Sequence, residues 1–366
     1  MNIKNWRTFR YFDLTNFLIM GILASIGLIF VFSATYTSEQ PFSSFFIKQL
    51  SGIITGFFIY FLCLILDHRS CIRWGFIGYF ITISLLIFTL MKGSVGMGAQ
   101  RWISLIFFKL QPSELAKLFL PSFIVYYLYT HKNAPLFNFF NFIPIIGIAL
   151  LSFILILKQP DLGTALIVLF SFLIMCWLAG ITKKFFIYGF LILITTMPFS
   201  WRILKPYQKN RVTVFLGYGN TKKERYQIEQ ATIAIGSGGL TGKGLLHGTQ
   251  NKLRFLPEGR TDFIFAVLSE ELGLAGGLFV LFLYTLLFYR SFLIIQQIND
   301  WYMQLFATGT LMHIILSTVI NIGMVLGFLP IVGIPLPLMS YGISNLWITF
   351  ASFGLLQNIA MQRSKY

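Results

Sequence analysis

Charge is scarce in this chain. Lys, Arg, Asp and Glu make up 11% of its 366 residues, against about 25% in an ordinary soluble domain, and that shortfall excludes a cytosolic globular protein. Acidic residues are scarcer still, 12 against 28 Lys and Arg, so the formal net charge is +16. The three cysteines, Cys63, Cys71 and Cys176, show no paired spacing and no histidine cluster, which excludes a disulfide framework and a zinc site. No basic helix or basic tail carries the positive excess, so no nucleic-acid partner is expected. Apolar bulk is what the chain has: 56% hydrophobic residues, 41 of them Phe, and a mean hydropathy of +0.76. This composition describes an all-α polytopic membrane protein.

Each bilayer crossing needs about 20 apolar residues. Ten runs read as spans: 15–35, 46–66, 74–91, 114–130, 142–157, 163–180, 185–201, 263–288, 303–327 and 338–360. The first is span-length and acts as a signal anchor rather than a cleaved leader. With both termini cytoplasmic, eleven Lys and Arg fall on the inside and five in the short outer loops, the bias that orients membrane proteins. Residues 202–262 then form one long external loop with eleven Lys and Arg against Glu224, Glu229, Glu258 and Asp262. It reads either as a solvated loop or as a cationic surface facing an anionic substrate at the outer leaflet. The whole chain, 1–366, reads as a single membrane domain containing that loop.

Within the loop, residues 226–235 have apolar residues at helical spacing, which predicts an interfacial helix. Gly236, Gly238, Gly239, Gly242 and Gly244 follow, with Lys243 among them. Exposed backbone N–H groups beside a lysine suit a phosphate; a flexible turn is the other reading. The spacing is not that of a nucleotide P-loop, because Ser237 and Gly244 stand where it needs Gly and Ser or Thr.

Asp262 lies where the loop meets the eighth span, a costly place for an ionisable group unless it works or caps the helix. On an ideal helix Glu270 is turned about 80° from Asp262 and Glu271 about 180°. The wheel therefore places Glu270 in one cavity with Asp262, as a partner carboxylate or as a co-ligand of a divalent cation, Mg or Mn. Before the fourth span, Glu114 and Lys117 share a face and read as an intramembrane ion pair, while Arg101 and Trp102 suit an interface or a lipid headgroup. Asp161, in Lys158–Thr164, reads as the cap of the sixth span. Residues 321–345 hold so much Gly and Pro at membrane depth that their backbone is expected to be broken or re-entrant.

Read together and in this order, these stretches resemble the SEDS family of peptidoglycan glycosyltransferases. The matching text is GAQRWI at 98–103, QPSELAK at 111–117, QPDLGTA at 159–165, YQKNRV at 207–212 and IAIGSGGLTGKGLLHGTQ at 233–250, then FLPEGRTDFIFAVLSEELGL at 255–274 and NIGMVLGFLPIVGIPLPLMSYG at 321–342. The short tails, YQKNRV and GLTGKG look like the elongation branch rather than the division branch. The resemblance implies polymerisation of lipid II outside the plasma (inner) membrane of a bacterium, during elongation and rod-shape maintenance. It also implies a class B penicillin-binding protein as transpeptidase partner within the elongation machinery. The family's catalytic position falls on Asp262 with Glu270 nearby, and Trp102, Glu114 and Lys117 match further positions that matter. One departure is Ile343-Ser344-Asn345, where the family usually continues Gly-Ser-Ser or Gly-Ser-Ala after Gly342.

Motif and chemistry together yield an expected mechanism. Asp262 accepts a proton from a sugar hydroxyl as it attacks an anomeric carbon, and Lys243, Arg254 and Arg260 meet the charge building on the pyrophosphate leaving group. Arg101, Trp102, Glu114, Lys117 and Ser340 complete the expected substrate-binding set. The rival reading is a flippase that moves the lipid-linked precursor without making a bond. It predicts repeated halves, and the chain has no convincing internal repeat.

Overall fold

The computed structural model describes residues 11–96, 99–104, 109–131, 142–203, 206–215, 222–253 and 255–362. The elements run α1 (Leu14–Thr35), α2 (Ser44–Ile65), α3 (His68–Lys92), β1 (Ser94–Gly96), β2 (Ala99–Ser104), β3 (Lys109–Leu110), α4 (Pro112–Thr130), α5 (Ile143–Lys158), α6 (Leu162–Leu178) and α7 (Lys183–Ile203). They continue with α8 (Pro206–Phe215), α9 (Lys222–Ser237), α10 (Thr249–Lys252), α11 (Ile264–Gln296), α12 (Trp301–Val325) and α13 (Ile343–Gln362). A helix occupies each of the ten apolar runs, and α1, α2, α3, α11 and α12 are long and apolar enough to cross a membrane.

Four aspartates start helices. Asp13, Asp67, Asp161 and Asp300 cap α1, α3, α6 and α12, each accepting from backbone N–H groups two or three residues on, which satisfies donors the helix leaves orphaned. The fifth aspartate, Asp262, does not: the N-cap of α11 is Phe263 and no side chain caps it. The capping alternative for Asp262 is thereby excluded.

Helices α13 and α2 pack at close range. A Cβ on Gly56 would lie 2.4 Å from the Phe350 ring, and one on Gly354 would lie 2.7 Å from the Tyr60 carbonyl; small residues at such crossings let backbones approach where apolar surface alone gives no drive in lipid. At one end of the bundle Asn358 donates to the carbonyls of Cys63, Leu64 and Leu66, and Arg290 pairs with Asp13 at 2.7 Å. The other end gathers the starts of α4, α6 and α11, and there the functional candidates lie.

Three expectations about the elements are revised and one is met. The tenth helix begins at Ile343 instead of 338, because Pro335, Pro337 and a left-handed Leu338 (φ +68°) keep the chain irregular. The segment 326–342 is non-helical, exposed over 326–328 and largely buried over 331–340, the broken backbone expected there. The eighth helix runs on to Gln296 and is interrupted at Gly273 (φ +67°, ψ −163°), a conformation open essentially to glycine alone. Within 202–262 the helix expected at 226–235 lies inside α9, which packs on α11 with Ala231 and Ala234 fully buried, and α8 and α10 add helices not expected from the sequence. Residues 94–110 include a small antiparallel sheet in the order β1-β2-β3.

Candidate active site

The site is built on the turn that precedes α11. Glu258 sits in the left-handed region (φ +55°), and its carbonyl accepts from the N–H groups of Thr261 and Phe263 at 3.1 and 3.3 Å. Three successive carbonyls of the turn are then held from outside. Tyr341 N–H donates to Arg260 O (3.0 Å), Ser340 Oγ to Thr261 O (2.5 Å), and Asn321 Nδ2 to Asp262 O (2.9 Å). Asn321 also donates to Ile334 O at 2.7 Å. The buried segment 326–342 and the end of α12 therefore clamp the backbone that carries Asp262, and rigid backing of this kind is what a working side chain needs.

The Asp262 side chain keeps some exposure while protein packs closely round its carboxyl group, and Gly333 lies alongside, where a Cβ would come within 3.4 Å of Oδ2. Among the described residues no hydrogen bond reaches that carboxylate. Its pKa is pushed up to about 6, first by burial and next by the negative Glu258, with Asp161 adding to the rise and Arg101 and Arg211 opposing it. A carboxylate poised there is a competent base near neutral pH.

The second carboxylate of the site is Asp161. One of its oxygens caps α6; the other accepts from Gln111 Nε2 at 2.7 Å and Ser113 Oγ at 3.3 Å. Arg101 Nη1 lies 3.6 Å from the capping oxygen, Oδ1, and Arg101 Nε is buried without a partner among the described residues. Asp161 was visible in the sequence only as a cap, a reading that accounts for one oxygen and leaves the other unexplained. Gln111, Arg211 and Asn321 lie inside the motif text but were not singled out there, and Phe45 carried no signal beyond its apolar setting.

Glu270 does not share a pocket with Asp262 as the helical wheel implies. Its buried Oε1 accepts from Lys243 Nζ (2.7 Å), Thr249 N–H (2.8 Å), Thr249 Oγ1 (2.9 Å) and Gln250 N–H (3.1 Å). Glu271, away from Asp262 as expected, accepts from Ser33 Oγ (2.5 Å) and Leu246 N–H (3.2 Å), and a Cβ on Gly248 would meet both carboxylates near 3 Å. The loop wraps the helix, so angular separation on the wheel ceases to separate partners. Lys243 is thus an internal counter-ion rather than a phosphate ligand. The loop amides are also engaged: Lys243 N–H and Gly244 N–H donate to the carbonyls of Glu270 and Glu271, while Leu274 and Ala275 N–H donate back to Gly239 and Leu240. The glycine cluster mends a broken helix.

Glu114 and Lys117 pair at 2.7 Å with both side chains nearly fully buried, and Asn345 Nδ2 donates to Glu114 at 3.2 Å. They form a buried ion pair inside the bundle, and the departure at Asn345 joins that pair. Ser340 is likewise a buried clamp. Trp102 lies in β2 beside Arg101, whose guanidinium carbon is 6.0 Å from the indole centroid. Arg254 lies outside the described residues. Arg260 stacks on Phe45 at 4.0 Å and lines a cavity of about 700 Å³ with Glu258, Lys252 and Glu39. Among the described residues no group of three or more His, Cys, Asp and Glu is placed to hold a metal ion, and Asp161 already faces a guanidinium; the side chains do not fit a Mg or Mn cage.

A helical membrane bundle with a half-buried, uncapped aspartate held on a clamped turn is the class that fold and site define. The chain belongs to the cell cycle protein family FTSW_RODA_SPOVE, whose model matches residues 14–365. It is 38% identical over 322 residues to "Peptidoglycan glycosyltransferase MrdB" of Escherichia coli K12, covering 86% of this chain and 85% of that one. It is 33% identical to "Peptidoglycan glycosyltransferase RodA" of Treponema pallidum, covering 95% and 97%. Among solved structures it resembles a chain from "Structural coordination of polymerization and crosslinking by a peptidoglycan synthase complex" (TM-score 0.82, 26% identity, covering 97% and 99%). It also resembles the rod shape determining protein RodA of Thermus thermophilus (TM-score 0.71, 26% identity, covering 96% and 97%).

Proposed function

We propose that this protein is a peptidoglycan glycosyltransferase that polymerises lipid II, with Asp262 as general base. The observation that carries the assignment is the contrast among the aspartates: four cap helices, and the fifth is held on a clamped turn with a pKa pushed up to about 6 and no hydrogen bond to its carboxylate among the described residues. The attacking sugar hydroxyl gives its proton to Asp262 as its oxygen bonds to the anomeric carbon of a second lipid-linked sugar. The bond from that carbon to the pyrophosphate oxygen breaks, with inversion, and undecaprenyl pyrophosphate leaves with the electron pair. Base assistance of this kind is worth roughly 10²–10⁴-fold. Arg101 and Arg211, whose charges act on Asp262, take over the role expected of Lys243 in meeting the leaving group's charge. Among the described residues no cluster of three carboxylate, His or Cys side chains offers a Mg or Mn ion a ligand set, and no proposed step passes through one.

This reading places the chain in a bacterial plasma membrane with ten crossings, both termini cytoplasmic and the 202–262 segment external. Its partner would be a class B penicillin-binding protein, a reading supported by the likeness to a peptidoglycan synthase complex. The test is to incubate the purified protein with lipid II. Glycan strands formed without any added polymerase support the enzyme; lipid II crossing the bilayer with no strands formed supports a flippase.

A further inference from the structure

A cavity adjoins the turn that carries Asp262, and Glu258, whose charge acts on Asp262, is part of its lining. Its wall is formed by the end of α1, the connection to α2 with Phe45, and Leu246, Lys252, residues 256–260 and Glu271. At about 700 Å³ it falls within the roughly 300–1,000 Å³ of small-molecule sites.

The charge of the lining decides what fits. Two cations, Arg260 and Lys252, face three carboxylates, Glu39, Glu258 and Glu271, among the hydroxyl and amide groups of Thr35, Thr37, Ser43 and Gln40. A phosphate would meet a lining with no positive excess. A neutral polyol would meet planar polar side chains and hydroxyls able to both donate and accept. Arg260 is arranged for this. Its guanidinium carbon lies 4.0 Å over the Phe45 ring, and Phe45 is braced edge-on by Tyr341, centroids 5.3 Å apart at 88°. Stacking fixes the plane of a guanidinium while leaving its N–H edge available, and among the described residues no hydrogen bond or ion pair engages that edge.

We infer that this cavity is a saccharide subsite holding the uncharged sugar portion of the glycan next to the reacting centre, and that Phe45, braced by Tyr341, is the positioning residue that presents Arg260 to it. The inference rests on the glycosyltransferase reading for its ligand, and it moves Arg260 from the pyrophosphate to the sugar.

The test measures binding of a soluble peptidoglycan tetrasaccharide to the purified full-length protein in detergent by calorimetry, with inorganic pyrophosphate as competitor. Arg260→Ala is expected to weaken binding about tenfold and Phe45→Ala about fivefold, the latter being the factor that a contact near 1 kcal/mol supplies. Phe45→Leu keeps the apolar volume without the aromatic face and loses the same affinity, whereas Phe45→Trp restores it. The double variant Arg260→Ala, Phe45→Ala binds no more weakly than Arg260→Ala, as it must if Phe45 acts through Arg260. Additive losses, wild-type affinity in Phe45→Leu, or displacement of the saccharide by pyrophosphate each overturn the proposal. Asp262→Asn separates the two readings: it binds the tetrasaccharide normally and makes no strands. An active Asp262→Asn would sink the base assignment while leaving the subsite intact.

Discussion

Two irregular segments flank the first half of α11, and they use their backbone in opposite ways. The glycine loop on one side directs its amides into Glu270 and Glu271 carbonyls and its lysine into the Glu270 carboxylate. The turn at 258–262 has its own carbonyls held by Tyr341, Ser340 and Asn321 and keeps one carboxylate over. The sequence makes the first look like the ligand cradle, since glycine and lysine together suit a phosphate. An accounting of donors and acceptors reverses this: a group already satisfied inside the protein has little to offer a ligand. Functional capacity lies where a polar group is left over in a rigid setting.

The sharpest break in this comparison is Asp262→Asn. Polymerisation of lipid II should fall by about 10²-fold or more with the unfolding temperature in detergent little changed; wild-type turnover would mean that the leftover carboxylate is idle. Lys243→Met acts on the other segment and should act on stability. It leaves the fully buried Glu270 without its counter-ion, at a cost of about 3 kcal/mol, read as a lower unfolding temperature with KM for lipid II unchanged in the folded fraction. A raised KM at unchanged stability would restore the phosphate-cradle reading. Gly273→Ala should cost about 1–3 kcal/mol in the same unfolding assay, because its Cβ would sit at φ +67° and 2.4 Å from Gly242 N.

The smallest effects concern pH. The base must be ionised to work, so activity should rise as pH rises through about 6, the value to which Asp262 is pushed. Glu258→Gln removes a negative neighbour and should move that limb to lower pH. Arg101→Gln removes a positive one and should move it to higher pH. If neither variant moves the limb, the titrating group is not Asp262.

Much of the fold was legible because hydrophobic length is a local property. Each of the ten apolar runs holds a helix, and Asp161, read as a cap, starts α6. The motif text placed Asp262 at the entrance of α11 without reference to any contact. The Glu114–Lys117 pair was legible too, since spacing of three on a helix brings side chains together. Glu270 was misread for the complementary reason: the wheel assumes an unbroken helix with nothing wrapped round it, and Gly273 with the loop at 238–250 violates both assumptions.

The sequence by itself determined the membrane class, the helix positions and the family, because these follow from composition, periodicity and contiguous motifs. Only the tertiary structure decided which carboxylates share a site. Asp161 and Asp262 are a hundred residues apart in the chain and are linked through Arg101, while Glu270, eight residues from Asp262, serves a different loop. Electrostatic partnership depends on distance through space and on which donors are already taken, and neither is written in the order of the residues.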